Sequence, residues 1–456
     1  RALRLRRVSA SALSMAASEA APEAVCTLDV ETYITNYTGV TRLKRLAFIA
    51  ANSPSLKAEA LRTALDEVKR TTNTALYLEL VALGDGQTTR DDAWVESVDR
   101  KAAQTLEKLE ADLQTHKTSL VKESIRMGHT DLGEFHFERG DFQSAFKCFV
   151  RTRDYCTTSK HIIAMCLGVI RVSVHMGNFT HVANYITKAE STPDVSDTIL
   201  TAQLKVAAGL AHLEAKKYKL AARKFVEVSP ELGSAFSDVA SQQDIALYGG
   251  LCALASFDRS ELKTKLLDNG GFKQLLELFP EVRELVHDFH NSKYAACLQY
   301  LRKLKPDLLL DLHLHDHVDS LLEAIHSKAL VQYFSPYVRV NMVAMADAFY
   351  FQVDQLEREL AKLIGSGQIE ARIDSHNKVL YARHDDQRSA TFTKALRMGD
   401  EYMRDTKALL LRINLMRHDF IVKVAPQPAA LPSPQPRPHR TAATLSTQLS
   451  PIFWPP

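Results

Sequence analysis

Apolar side chains recur every three or four residues along most of this chain and change to strict alternation only once, near residue 370. The spacing of Met342, Met345, Ala346 and Phe349 predicts a helix over 341–349. That of Val353, Leu356, Leu360, Leu363 and Ile364 predicts another over 353–364. Pro336 ends the run before them near Tyr333–Phe334, because proline lacks an N–H and clashes with the preceding turn. Gly365 and Gly367 supply the stop. Ile369, Ala371 and Ile373 then alternate with polar residues, Ser375-His376-Asn377 turns the chain, and Val379 and Tyr381 alternate on the return. Helix, helix, helix and hairpin predict a winged helix over 321–384. An exposed hairpin edge is a template for a strand from another chain, so Ile369, Ile373, Val379 and Tyr381 are candidate partner-binding positions.

Upstream, the pattern repeats. Phe142, Phe179, Tyr218, Phe257 and Tyr294 each follow a polar turn and open a helical stretch, at spacings of 37, 39, 39 and 37 residues. Small residues follow three positions later at Ala145, Ala221 and Cys297, where two helices can approach closely. This period is slightly longer than the about 34 residues of tetratricopeptide hairpins and predicts a stacked superhelix over 121–320, with Pro306 ending its last repeat. Residues 27–120 read as further helices. Ser53-Pro54 looks like a helix start, and a long amphipathic helix or helix pair from Trp94 carries Leu106, Leu109, Leu113 and Leu120 as its buried stripe. Residues 385–423 form a terminal helix whose stripe includes Phe392, Tyr402, Leu409, Ile413, Met416 and Phe420. Little chain remains to cover that stripe, which makes Tyr402, Leu409, Ile413 and Met416 candidates for docking on partner helices. The proline-rich 424–456, ending near Ile452-Phe453-Trp454, is expected to be disordered. Residues 1–26 are expected to be disordered, with 1–14, rich in Arg, Ala and Ser, read as upstream translation before Met15 in preference to a transit peptide.

Composition narrows the function. The 456 residues are 24% charged and 46% hydrophobic with a net charge of +3, as in an ordinary globular protein without a polyelectrolyte partner. The recognition-helix candidate carries Asp354, Glu357 and Glu359 against Arg358 and Lys362, which opposes groove binding to DNA. No apolar run reaches the roughly 20 residues that span a bilayer. Six cysteines lack a C-x-x-C pair and read as free thiols in helices. Asp311, His313, His315 and His317 are the best metal candidate, but the flanking LLL and VDSLLEAI are those of packed helices, so no metal and no cofactor is expected. His315-Asp316-His317 also lacks the proline of the JAMM metalloprotease motif. With no nucleophile elbow or dinucleotide loop, a binding scaffold rather than an enzyme is expected.

The order of repeats then winged helix resembles the PCI family, scaffold subunits of the proteasome lid, the signalosome and translation initiation factor three. The segments YITNYTGVTRLKRLAFIA, LGEFHFERGDFQSAFKCFVRTRDYC and KALVQYFSPYVRVNMVAMADAF are similar to the signalosome branch, over residues 27 to 422. The resemblance implies a non-catalytic subunit of the complex that removes Nedd8 from cullin-RING ubiquitin ligases. It implies winged helices side by side, C-terminal helices in a common bundle, and a location in nucleus and cytoplasm. The implied partners are other signalosome subunits and, through the complex, cullin-RING ligases, with no nucleic acid and no membrane. A proteasome-lid subunit and a nucleic-acid-binding winged helix are the alternatives.

Overall fold

The computed structural model describes residues 28–84, 90–192, 197–383 and 387–418. It divides into two units, one ending at Arg383 and one beginning at His384. The first opens with α1 (Val30–Thr35), α2 (Gly39–Asn52), α3 (Lys57–Val68), α4 (Thr74–Leu83) and the 28-residue α5 (Asp92–Ser119). Helical hairpins follow: α6 (Lys122–Glu138) with α7 (Phe142–Arg151), α8 (Ser159–His175) with α9 (Phe179–Glu190), and α10 (Thr198–Glu214) with α11 (Tyr218–Val226). Next come α12 (Gln242–Ser256), a short α13 (Arg259–Glu261) that runs into a π-helical turn over Leu262–Leu267, and α14 (Gly270–Glu277). The last hairpin is α15 (Pro280–His290) with α16 (Tyr294–Leu308).

The repeat rests on one kind of turn. Two residues before the aromatic, the backbone is left-handed at Gly140, Gly177, Lys216 and Ser292. The next N–H then reaches back to the preceding helix, as from Asp141 to His136 and from Lys217 to His212, both at 2.9 Å. This closes the orphan carbonyls of a helix end. Phe142, Phe179, Tyr218 and Tyr294 therefore begin the second helices, whereas Phe257 caps α12 one residue ahead of the Asp258 that starts α13. Ala145, Ala221 and Cys297 are buried as the close-approach positions. Glycines do the same from the facing helix: a Cβ on Gly209 would stand 2.5 Å from the Phe225 ring.

The winged helix comprises α17 (Val318–Phe334), β1 (Arg339–Asn341), α18 (Met342–Phe349), α19 (Val353–Gly365), β2 (Ala371–Asp374) and β3 (Val379–Ala382). Asn341 caps α18 by accepting the Val343 N–H at 2.9 Å, and Gly367 takes the left-handed turn after α19. The buried Met342, Met345, Ala346, Phe349, Leu356, Leu360 and Leu363 continue the core of the repeats. The second unit is α20 (Gln387–Arg417).

Four local expectations are corrected. Pro54 lies in the turn after α2, and α3 starts at Lys57. Leu120 ends α5 in a left-handed conformation with its side chain 80% exposed, so it does not extend the buried stripe. Pro306 lies inside α16, which continues past it to Leu308 despite the lost N–H bond and the crowding of the preceding turn. The hairpin gains β1 as a third strand, which at three residues is too short for a periodicity to detect. The expectations for 1–26 and for the proline-rich tail lie outside the described residues.

Ser292 adopts a left-handed backbone that costs a side-chain-bearing residue about 1–2 kcal/mol. Ser292→Gly is expected to raise the melting temperature, and Gly209→Val to lower stability by about 1–3 kcal/mol through overpacking against Phe225. Thermal denaturation followed by circular dichroism checks both; an unchanged Gly209→Val melt would contradict the packing.

Candidate protein-interaction surfaces

The sheet order is β1-β3-β2, antiparallel throughout. Val340, Leu380 and Ile373 lie opposite one another and share the core-facing side, with Leu380 fully buried. Arg339, Tyr381 and Arg372 form the matching row on the other face, where the Arg339 guanidinium stands 5.3 Å from the Tyr381 ring centre. This alters the candidate edge. Val379 and Tyr381 belong to the central strand, whose backbone is paired on both sides, and Ile369 is buried in the core just before β2. Ile373 is half-buried against the core on the outer strand β2. Among the described residues the free backbone edges are those of β1 and β2.

The helix α20 carries exposed apolar side chains along its length. Tyr402, Leu409, Ile413 and Met416 are 71%, 60%, 45% and 64% exposed. At 100° per residue these four fall on one face, and Phe392, Leu396, Met403 and Leu410 flank it. Phe420 lies outside the described residues.

The strongest chemistry in the molecule is buried and holds its parts together. Arg45, on α2, is 1% exposed. It donates from Nη1 to the Asp311 carboxylate at 2.7 Å and from Nη2 to the Asp244 carboxylate at 2.9 Å. Tyr37 donates to Asp244 at 2.6 Å and Tyr248 to Asp311 at 2.6 Å, and the Arg45 guanidinium lies over the Tyr37 ring at 4.2 Å. Burial pushes Asp244 up despite the pull of Arg45. Burial also opposes ionisation of Asp311, but Arg45, His313 and the Tyr248 hydroxyl outweigh it and leave its carboxyl below the usual range. Arg45 stays charged, because the two carboxylates outweigh the burial that works against it.

This arrangement accounts for the candidate metal residues. Asp311 is consumed by Arg45, Tyr248 and the backbone N–H groups of His313 and Leu314, at 2.9 and 3.1 Å. His315 Nδ1 lies 2.7 Å from the Leu309 carbonyl, and His317 Nε2 lies 3.4 Å from Glu214. His315 and His317 thus serve separate contacts, and among the described residues no three acids, histidines or cysteines form a metal-sized group. Burial holds His313 down at about 4. Cys252 and Cys297 are pushed up to about 12 by burial, which disfavours the thiolate. Sequence reasoning missed Arg45; its signal was an arginine inside the apolar run Leu43, Leu46, Ala47, Ile49 and Ala50.

Comparison with known proteins bears on these surfaces. Residues 91–265 match the family model described as 26S proteasome subunit RPN7, 301–384 the PCI domain, and 387–412 the C-terminal helix of COP9 signalosome complex subunit 1. The chain is 54% identical to COP9 signalosome complex subunit 1 of Arabidopsis thaliana, over 87% of its own length and 92% of the relative's. It is 40% identical to subunit 1b of Drosophila melanogaster, over 87% and 86%. To the 26S proteasome non-ATPase regulatory subunit 6 of Caenorhabditis elegans it is 23% identical, over 80% and 90%.

Removing Arg45 leaves two carboxylates buried together, so Arg45→Ala is expected to cost about 3–5 kcal/mol, read by urea denaturation. A loss under about 1 kcal/mol would show the cluster to be solvated. His313 and His326 hold their protons only below about 4 when folded, against about 6.5 when unfolded. Between these values the unfolded chain binds more protons, so stability is expected to fall as pH drops from 6.5 to 4. Denaturation midpoints across that window check the sign.

Proposed function

The chain belongs to the COP9 signalosome complex subunit 1 family, and on that premise we propose that it is a non-catalytic scaffold of the complex that removes Nedd8 from cullin-RING ubiquitin ligases. Its partners are then the other signalosome subunits, with cullin-RING ligases engaged through the assembled complex in nucleus and cytoplasm. The observation that carries the reading is α20, a 31-residue helix with Tyr402, Leu409, Ile413 and Met416 exposed. Such a stripe gains its hydrophobic free energy only when other helices cover it. A second contact is strand addition at the outer backbone of β1 or β2, with Ile373 beside the joint. Val379, Tyr381 and Ile369 would act from behind that edge by shaping the sheet.

The repeats contribute geometry rather than chemistry. Their helices bury one another in succession, and the Arg45 cluster ties α2 to α12 and to the segment that leads into α17. A load on the winged helix is thereby resisted by the repeats. The proteasome-lid alternative shares this architecture, but its relative is only 23% identical where the signalosome relative is 54%.

Leu409→Asp combined with Ile413→Asp is expected to release a tagged chain from its co-purifying subunits while the thermal melt of the repeats is unchanged. Recovery of the full set of companions by mass spectrometry would overturn the bundle assignment. Companions drawn from the proteasome lid would favour the alternative. Fluorescent tagging in cells checks the two compartments.

A further inference from the structure

The second helices of two consecutive hairpins bring an excess of positive charge to one surface. The segment 216–224 contributes Lys216, Lys217, Lys219, Arg223 and Lys224 without an acid, and 258–265 contributes Arg259, Lys263 and Lys265 with the acids Asp258 and Glu261. The two segments meet at Glu261. Glu261 lies 3.0 Å from Lys265 Nζ, 3.2 Å from Lys219 Nζ and 3.6 Å from Arg223 Nη2. The pull of Lys265, with that of Lys219, brings its carboxyl down to about 2 although it lies near the surface.

Other groups take up part of the surplus. Glu190 pairs with Lys224 at 3.2 Å, and Arg259 is taken up by the His290 carbonyl at 2.8 Å. Lys216, Lys217 and Lys263 are exposed and, among the described residues, have no carboxylate within ion-pair distance. Two backbone features hold the cations in place. Lys216 occupies a left-handed turn position that is glycine in the first two hairpins. Lys263 and Lys265 sit on the π-helical turn, a distortion often found at functional positions. Leu220 is 42% exposed among them.

We propose that this surface docks an acidic peptide segment of a partner protein, whose carboxylates take the places that Glu261 fills for Lys219, Arg223 and Lys265 and whose apolar residue covers Leu220. Glu261 thus serves as an internal stand-in for the partner and competes with it. A peptide fits better than a single-stranded nucleic acid, because the exposed apolar group is aliphatic and Tyr218, the aromatic of the segment, is half-buried and offers no open ring for base stacking. The proposal stands apart from assembly through α20.

The test is fluorescence anisotropy of the full chain with a labelled Asp/Glu-rich peptide containing one leucine. Glu261→Gln keeps an acceptor for the Asp258 N–H and removes the competing charge, so it is expected to tighten binding several-fold. Lys219→Glu with Arg223→Glu is expected to weaken binding about tenfold or more, and Lys101→Glu with Lys108→Glu on α5 to leave it unchanged. Weaker binding by Glu261→Gln, or equal loss in the α5 variant, would overturn the proposal. So would tighter binding to a single-stranded oligonucleotide or to vesicles of anionic lipid than to the peptide.

Discussion

Arg45 joins side chains that lie far apart along this chain. A guanidinium removed from water costs several kcal/mol unless its hydrogen bonds and charge are met inside. Here they are met by Asp244, 199 residues away, and by Asp311, 266 residues away. The N-terminal helices, the fourth repeat and the approach to the winged helix are therefore fixed by one planar fork of donors, and a lysine would not reproduce its two-sided geometry. The tyrosines Tyr37 and Tyr248 donate further hydrogen bonds to the two carboxylates.

Around that anchor the repeats follow a rule of close approach. Phe149 fills the space at Gly133 and Gly168, and Phe225 that at Gly209. Large rings are matched to bare backbone, which lets adjacent hairpins approach closely. The same stack carries Lys328 of α17, whose ammonium donates to the carbonyls of Leu254, at 2.8 Å, and Phe257 at the end of α12. Burial lowers that lysine to about 8, but its place at a helix C-terminus favours the cation. The winged helix thus grows out of the repeats through polar joints as well as through a shared core.

The surfaces left over differ in character. The outer edges of β1 and β2 offer backbone groups, α20 offers apolar area, and the α11–α13 surface offers charge. Each would select a partner by a different force.

Much of this was legible in the sequence. The 3.6-residue period placed α18 and α19 and their buried residues, since a helix face is set by neighbours a few residues apart. The 37–39-residue spacing located the repeats, because each polar turn and its aromatic are local in sequence. The family resemblance came from the same local segments. What only the tertiary structure decided were pairings across long separations. The three-residue β1 is too short to announce itself, yet its pairing makes β3 central and moves the free edge away from Val379 and Tyr381. Arg45 sits in an apolar stripe that gives no hint of carboxylates 199 and 266 residues on. Periodicity reports which face of an element is buried; which distant groups meet there is set by how the elements pack.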